Sequence, residues 1–221
     1  MSQRIFLFDM DGILIDSMPL HARSWLQTAK RYGLDATESD FYLYEGMRGK
    51  DTVSVLYRRT FGEEAPQKLI DEIYHYKTSL YNSYSGELRP IPYTHEVMSL
   101  LDERGCPYGV VTGGTKYNAY PRIHKLYNFI PEERIITAES VTKGKPHPQP
   151  YLRGMELFGK TPSETVVVEN APLGIESGHA SGALTIAVAT GPVKEFILRE
   201  AGADLLFLDM KALWVWCKEN I

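Results

Sequence analysis

Apolar positions along this chain recur in two ways. Short continuous runs occupy residues 4–10, 108–112, 134–137, 165–169, 184–189 and 204–208. Runs of that length without polar alternation predict strands buried on both faces. Between the later runs the apolar positions shift to helical spacing, over residues 96–104, 150–158, 172–181 and 193–201. Strands alternating with helices predict an α/β core, a Rossmann-like parallel sheet covered by helices on both sides. Residues 17–89 break the alternation, with helical spacing over 19–32, 50–61 and 67–83 and no strand. Unstructured connections of that length are rare in compact domains, which predicts a helical domain at 17–87 inserted into a core made of 1–16 and 88–221. One glycine and two prolines between residues 86 and 92 fit the return hinge.

Composition narrows the class without deciding it. The 221 residues suffice for one substantial core and a small second domain. A formal net charge of −4 argues against nucleic acid or an anionic membrane surface as partner. A site for a small phosphorylated molecule must then be a local arrangement of donors and metal. The first apolar run is cut by Asp9 and Asp11, too early for a signal peptide or a spanning helix. Cys106 and Cys217 stand far apart with no CxxC spacing, which fits two reduced thiols in a cytoplasmic protein, expected to be a monomer.

Candidate chemistry gathers at the ends of four runs. Phe8-Asp9-Met10-Asp11-Gly12 closes the first, and strand alternation sends Asp9 and Asp11 to one side of the carboxyl edge, where open α/β sheets bind ligands. Paired carboxylates there suit a hard cation, with one attacking phosphorus and its neighbour moving the proton. Thr112-Gly113-Gly114 offers a hydroxyl and unobstructed N–H groups to a phosphate. Lys145 is held extended by Pro146, placed to neutralise the attacking carboxylate and the transferring group. Glu169 and Asn170 supply oxygens to complete a magnesium site opened by Asp9 and the Asp11 carbonyl. Singly, each has a plainer reading: an Asp-Gly turn, a capping threonine, a surface lysine, an asparagine cap. All four in order at four strand ends is hard to obtain by chance.

The set resembles the haloacid dehalogenase (HAD) superfamily, in the branch of β-phosphoglucomutase and its phosphatase relatives. Residues 8–17 (FDMDGILIDS) match its first motif, Thr112 the second, Lys145 the third and residues 169–182 (ENAPLGIESGHASG) the fourth. The helical interval matches its four-helix cap. The resemblance implies an aspartyl-phosphate on Asp9, with Asp11 as general acid and then general base. It implies Mg2+ at Asp9, Asp11, Glu169 and Asn170, and the phosphoryl group at Thr112, Gly113 and Lys145. The second aspartate is present in phosphoryl-transfer members and absent from dehalogenases, so carbon–halogen cleavage is not expected. His21 matches a histidine that supports the acid/base aspartate in mutases, and Lys77 is placed to reach substrate from the cap; a helix-surface position is the alternative for both. The other histidines, and Tyr74, Tyr76, Tyr81 and Tyr84, read as structural.

Two positions depart from the mutase pattern. Asn170 stands where an acidic ligand is usual, weakening the attraction for Mg2+. In the cap loop 44–50 (YEGMRGK), Glu45 and Gly49 stand where mutases present a lysine and an arginine to the far phosphate, with Arg48 and Lys50 out of register. Glu45 is expected to swing in with the cap and restore the charge missing at Asn170. The ENAPLG stretch, the GKP-x-P-x-PYL stretch and the cap glutamate also resemble HAD-type inorganic pyrophosphatases. The expectation is a Mg2+-dependent hydrolase of a small phosphate, pyrophosphate foremost. A hexose-phosphate mutase is the alternative.

Overall fold

The computed structural model describes residues 4–221. Its strands are β1 (Ile5–Phe8), β2 (Tyr108–Val111), β3 (Ile135–Ile136), β4 (Thr165–Glu169), β5 (Leu184–Val188) and β6 (Leu205–Phe207). They form one sheet in the order β3-β2-β1-β4-β5-β6, with every pair parallel. The chain builds from β1 toward one edge, then returns to β4 on the other side of β1. That reversal opens a crevice above the carboxyl ends of β1 and β4. Phe8 is in register with Val110 on one side and Val168 on the other, so the residues that follow these strands emerge level with one another.

Burial on both faces explains the continuous apolar runs. Phe6 and Phe8 point into one cluster with Val97, Leu101, Val110 and Val168. Ile5 and Leu7 point into the opposite one with Val111, Tyr151 and Met155. The helices that supply the two covers are α5 (Thr94–Glu103), α6 (Lys116–Leu126), α7 (Gln149–Leu157), α8 (Pro172–Ala180), α9 (Glu195–Glu200) and α10 (Met210–Asn220).

Between β1 and α5 lies the helical cap, formed by α1 (Met18–Tyr32), α2 (Glu38–Leu43), α3 (Gly49–Phe61) and α4 (Gln67–Ser83). It carries its own apolar cluster of Ala22, Trp25, Phe41, Val53, Leu56 and Ile73. Among the described residues no helix is long and apolar enough to cross a membrane.

Three helices escape the hydrophobic pattern. In α2 only Phe41 is buried, too few positions to reveal a period. In α10 the buried residues are embedded in an aromatic run, Leu213 to Cys217, that looks as much like a strand; Asp209 starts the helix by accepting from the Ala212 amide at 2.8 Å. In α6 the buried face is Asn118, Ala119, Arg122 and Ile123, half of it polar, and Pro121 sits inside the helix.

The close seat of α8 is testable. A Cβ on Gly178 would lie 2.8 Å from Val167 Cγ1 and 2.9 Å from Thr185 Oγ1, so the helix packs on β4 and β5 only because that position has no side chain. Overpacking a core typically costs about 1–3 kcal/mol. Gly178→Val is therefore expected to lower Tm by roughly 2–12 °C in a thermal melt; an unchanged Tm would mean the helix is free to slide outward.

Candidate active site

Asp9 follows β1 directly, its amide still donating to Val168 O at 3.0 Å, and it is 4% exposed. Gly12 ends the same turn with φ of 85°, a left-handed conformation. A Cβ there would lie 2.1 Å from Asn170 Nδ2, so glycine is what allows the β1 and β4 loops to meet.

Lys145 joins the strand ends. Its Nζ lies 2.6 Å from Asp9 Oδ1, 2.6 Å from Glu169 Oε1 and 3.1 Å from Val111 O. These contacts use all three ammonium donors. Burial works against the Lys145 charge, but Asp9 and Glu169 reverse that and hold it above the ordinary lysine range. The Lys145–Pro146 peptide bond is cis.

Glu169, expected among the metal ligands, is committed elsewhere. Oε1 accepts from Lys145 and from the Tyr151 hydroxyl at 2.7 Å, and Oε2 accepts from the Asn170 amide at 3.1 Å. Its role in this arrangement is to anchor Lys145. Asn170 is different: its Oδ1 is buried and has no hydrogen-bond partner.

Asp11 has its own support. The Ser17 hydroxyl donates to Oδ1 at 2.5 Å, and His21 Nε2 lies 3.3 Å from the same atom. Lys77 Nζ lies 2.7 Å from His21 Nδ1, which assigns the ring proton to Nε2, facing Asp11. Burial and the Lys77 charge push His21 down to about 4, and burial with Arg122 pushes Lys77 down to about 7. Burial would raise Asp11, but His21, Arg122 and Ser17 outweigh it and hold the carboxyl below its usual range. Both His21 and Lys77 thus sit inside the site rather than on a helix surface.

The cap loop presses on the core at Gly113, where a Cβ would lie 2.6 Å from Gly46 O. It encloses a cavity of about 60 Å³ lined by Asp9, Asp11, Thr112, Gly113, Lys77 and Glu45, among others. Thr112 Oγ1 accepts from the Gly114 amide at 3.0 Å, shaping the loop that lines this space. Burial, then the charges of Asp11 and Asp9, push Glu45 up to about 8. Burial likewise pushes Asp9 up to about 8, with Lys145 opposing and Glu169 and Asp11 adding to the rise. The cavity therefore holds more negative charge than its cations balance.

A divalent cation fits that imbalance. Among the described residues no three His, Cys, Asp or Glu side chains form a ready-made cluster. Asp9 and, from the cap, Glu45 supply carboxylate oxygens to the cavity, and Asn170 Oδ1, just past β4, is a buried oxygen without a partner. An all-oxygen set with carboxylates suits a hard ion such as Mg2+.

Sequence reasoning missed several lining residues. Tyr74 and Tyr81, read as cap packing, line the cavity, and so do Asn118 and Arg122 of α6. Arg48 and Lys50 do not face it as phosphate ligands. Arg48 is paired with Asp51 at 2.7 Å and donates to Thr142 O, while Lys50 is paired with Asp71 at 2.6 Å.

An aspartate, a threonine and a lysine gathered at the ends of parallel strands under a four-helix cap are a specific combination. A sequence profile of the haloacid dehalogenase-like hydrolases matches residues 6–188. The chain belongs to that family. It is 36% identical to hexitol phosphatase A of Escherichia coli, over 83% of this chain and 82% of that protein. It is 26% identical to the pyrophosphatase PpaX of Oceanobacillus iheyensis, over 96% and 95%. A solved structure from Bacteroides vulgatus, provisionally named a beta-phosphoglucomutase, matches with a TM-score of 0.91 and 36% identity, covering 98% of this chain and 89% of that one. Within the haloacid dehalogenase-like family, the chain falls among phosphatases and beta-phosphoglucomutase-like hydrolases.

Removing the central cation tests the site's architecture. Lys145→Met leaves Asp9 and Glu169 buried together without a counter-charge, a change that typically costs about 3–5 kcal/mol. A Tm loss of roughly 6–20 °C is expected, partly recovered by Mg2+ in the melt. A variant as stable as the wild type would show that Lys145 does not hold the strand ends together.

Proposed function

We propose that this protein is a Mg2+-dependent phosphohydrolase acting through an aspartyl-phosphate on Asp9, with inorganic pyrophosphate as its substrate. The observation that carries the reading is Glu45, a cap carboxylate facing Asp9 and Asp11 across an enclosed cavity. A phosphate entering such a space meets repulsion unless it comes with a cation, and a small, highly charged, magnesium-bound phosphate meets that requirement.

In this reading an Asp9 oxygen attacks one phosphorus, and the bridging oxygen departs with the second phosphate. Lys145 by its charge, and the Thr112 hydroxyl and the Gly113 loop by hydrogen bonds, hold the transferring group, and positioning of this kind supplies most of the catalysis in phosphoryl transfer. Bound Mg2+, held by Asp9, the Asp11 carbonyl, Asn170 and Glu45, would screen the charge on the phosphoryl oxygens. Asp11, kept ionised by Ser17 and His21, then takes the proton of the water that hydrolyses the acyl-phosphate. An ionised Asp11 suits a leaving group that departs without a proton. A phosphate that already carries one proton does so, since its departing oxygen then has the basicity of the second ionisation, near about 6, whereas an alkoxide does not.

A second reading, a polyol-phosphate hydrolase, is favoured by the 36% identity to hexitol phosphatase A. Trp25, Phe41, Tyr74 and Tyr81 would then receive the carbon chain when the cap is open. The mutase reading is the weaker: Arg48 and Lys50 are engaged, and a side chain at position 49 would overlap the Tyr74 ring at 2.1 Å.

Asp9→Asn cannot form an acyl-phosphate. It is expected to fold normally and to lose well over 100-fold in kcat, about 3 kcal/mol or more. Retention of more than a hundredth of the wild-type rate would end the covalent reading.

Glu45 separates the substrates. Glu45→Ala should lower kcat/KM for pyrophosphate by about 100-fold, roughly 2.7 kcal/mol, and raise the Mg2+ requirement. Adding Asn170→Asp should restore part of both, and Asn170→Asp alone should tighten Mg2+ in calorimetry. A pyrophosphate rate indifferent to Glu45, alongside strong hexitol-phosphate turnover, selects the second reading.

A further inference from the structure

The helix α6 buries two polar side chains that the chemistry above does not use. Ala119 and Ile123 join the sheet's apolar cluster, while Asn118 and Arg122 line the cavity under the cap. Arg122 is 8% exposed and Asn118 is 9% exposed. Among the described residues Arg122 has no ion pair. Its guanidinium lies 3.9 Å from the centroid of the Tyr81 ring, and its hydrogen bond is a long one, 3.4 Å to Asn82 Oδ1. Asn118 Oδ1 has no partner at all. A guanidinium carries five N–H donors and remains charged when buried, so one long hydrogen bond leaves most of its donors without a partner. Among the described residues no carboxylate is hydrogen-bonded to it, so the guanidinium fork is available to an anion that enters the cavity.

Position identifies the anion. Lys145 serves the Asp9 side of the cavity. Arg122 stacks on Tyr81, whose ring centroid lies 4.1 Å from that of His21, and His21 Nε2 lies 3.3 Å from Asp11, which puts the guanidinium on the Asp11 side, where the proposed chemistry releases the leaving oxygen. Asn118 and Arg122 also form the wall shared with an outer groove of about 660 Å³ that Asn82, Lys116 and Tyr117 help to line. A group held against that wall lies between the reacting phosphorus and a way out.

We propose that Arg122, with Asn118 beside it, is the specificity-determining residue for the leaving group and selects an anionic one, a second phosphoryl group. This rests on the Asp9 phosphohydrolase reading and adds to it a residue that discriminates by leaving-group charge. When the Asp9 oxygen bonds to phosphorus, the bridging P–O bond breaks and its electron pair moves onto the second phosphate. The guanidinium fork meets that growing charge with paired hydrogen bonds, which a departing neutral alcohol has no oxyanion pair to receive.

The test compares pyrophosphate with an aryl phosphate, whose leaving group is a phenol, at fixed saturating Mg2+. Arg122→Met keeps a chain packed on Tyr81 and removes the charge; Arg122→Lys keeps the charge and removes the fork. Charged hydrogen bonds contribute about 1.5–3 kcal/mol, so Arg122→Met should lower kcat/KM for pyrophosphate roughly 10- to 150-fold. The loss on the aryl phosphate should be several-fold smaller, and Arg122→Lys should recover part of the pyrophosphate rate. Equal losses on both substrates would make Arg122 a structural residue and overturn the inference, as would no loss on either. A wild-type enzyme that cleaves only the aryl ester also overturns it, while leaving the Asp9 chemistry standing. Cleavage of neither substrate, or activity surviving Asp9→Asn, would instead fell the phosphohydrolase reading, and the inference with it.

Discussion

One ammonium group ties the catalytic edge of this protein together. Lys145 Nζ reaches the end of β1 through Asp9, the end of β2 through the Val111 carbonyl and the end of β4 through Glu169. Sheet register brings those three ends level, but register alone would leave two carboxylates facing each other in a dry interior. A charge of opposite sign, placed with all its donors used, is what makes the arrangement tolerable. Tyr151 and the Asn170 amide then fix Glu169, so that the lysine is held by a base that cannot turn away. Asp9 keeps one oxygen on Lys145, and its orientation is set before any ligand arrives.

The site is left short of positive charge. Asp9, Asp11, Glu45 and Glu169 face Lys145, Arg122 and a Lys77 whose own charge burial and Arg122 disfavour. The resting carboxyls of Asp9 and Glu45 are pushed up to about 8 as a result. Such a cavity is unstable toward a proton or a cation, and a hard cation paired with a phosphate neutralises the acids while delivering the reactant. In the proposed reading Asn170 and Glu45 would be one adaptation, a neutral oxygen in the core and a compensating carboxylate supplied by the cap loop.

Much of this was legible in the sequence because position along a parallel strand carries so much information. Residues that directly follow buried runs must emerge at the carboxyl edge, which brings Asp9 and Thr112 to one side of the sheet without any contact being known, while Lys145, nine residues past β3, was legible from the proline after it and from the family motif. What stayed illegible has physical causes too. Sequence shows where the Glu169 carboxylate begins, not which donors it meets, and Tyr151 and Lys145 both hydrogen-bond to it. Tyr74, Lys77 and Tyr81 fall at i, i+3 and i+7 on α4, the spacing of a core stripe, and a cavity lining has the same period as a core. The helix α6 stayed hidden for the converse reason: its buried face carries an arginine and an asparagine where a pattern search looks for apolar residues.

That hidden helix bears on how a shared core can serve different substrates. The residues fixed by Lys145 meet only the transferring phosphoryl group, which every substrate of such an enzyme has in common. Discrimination has to come from groups that meet what remains: the loop around Glu45, the stripe on α4 and the polar face of α6. These are the surfaces that β-strand register does not constrain. Gly49 shows how readily they change, since its missing side chain admits the Tyr74 ring where a longer residue would exclude it. Substitutions there alter what fits while leaving the Asp9–Lys145–Glu169 arrangement untouched, so relatives with phosphatase, pyrophosphatase and mutase names can share one chemistry and differ in the walls around it.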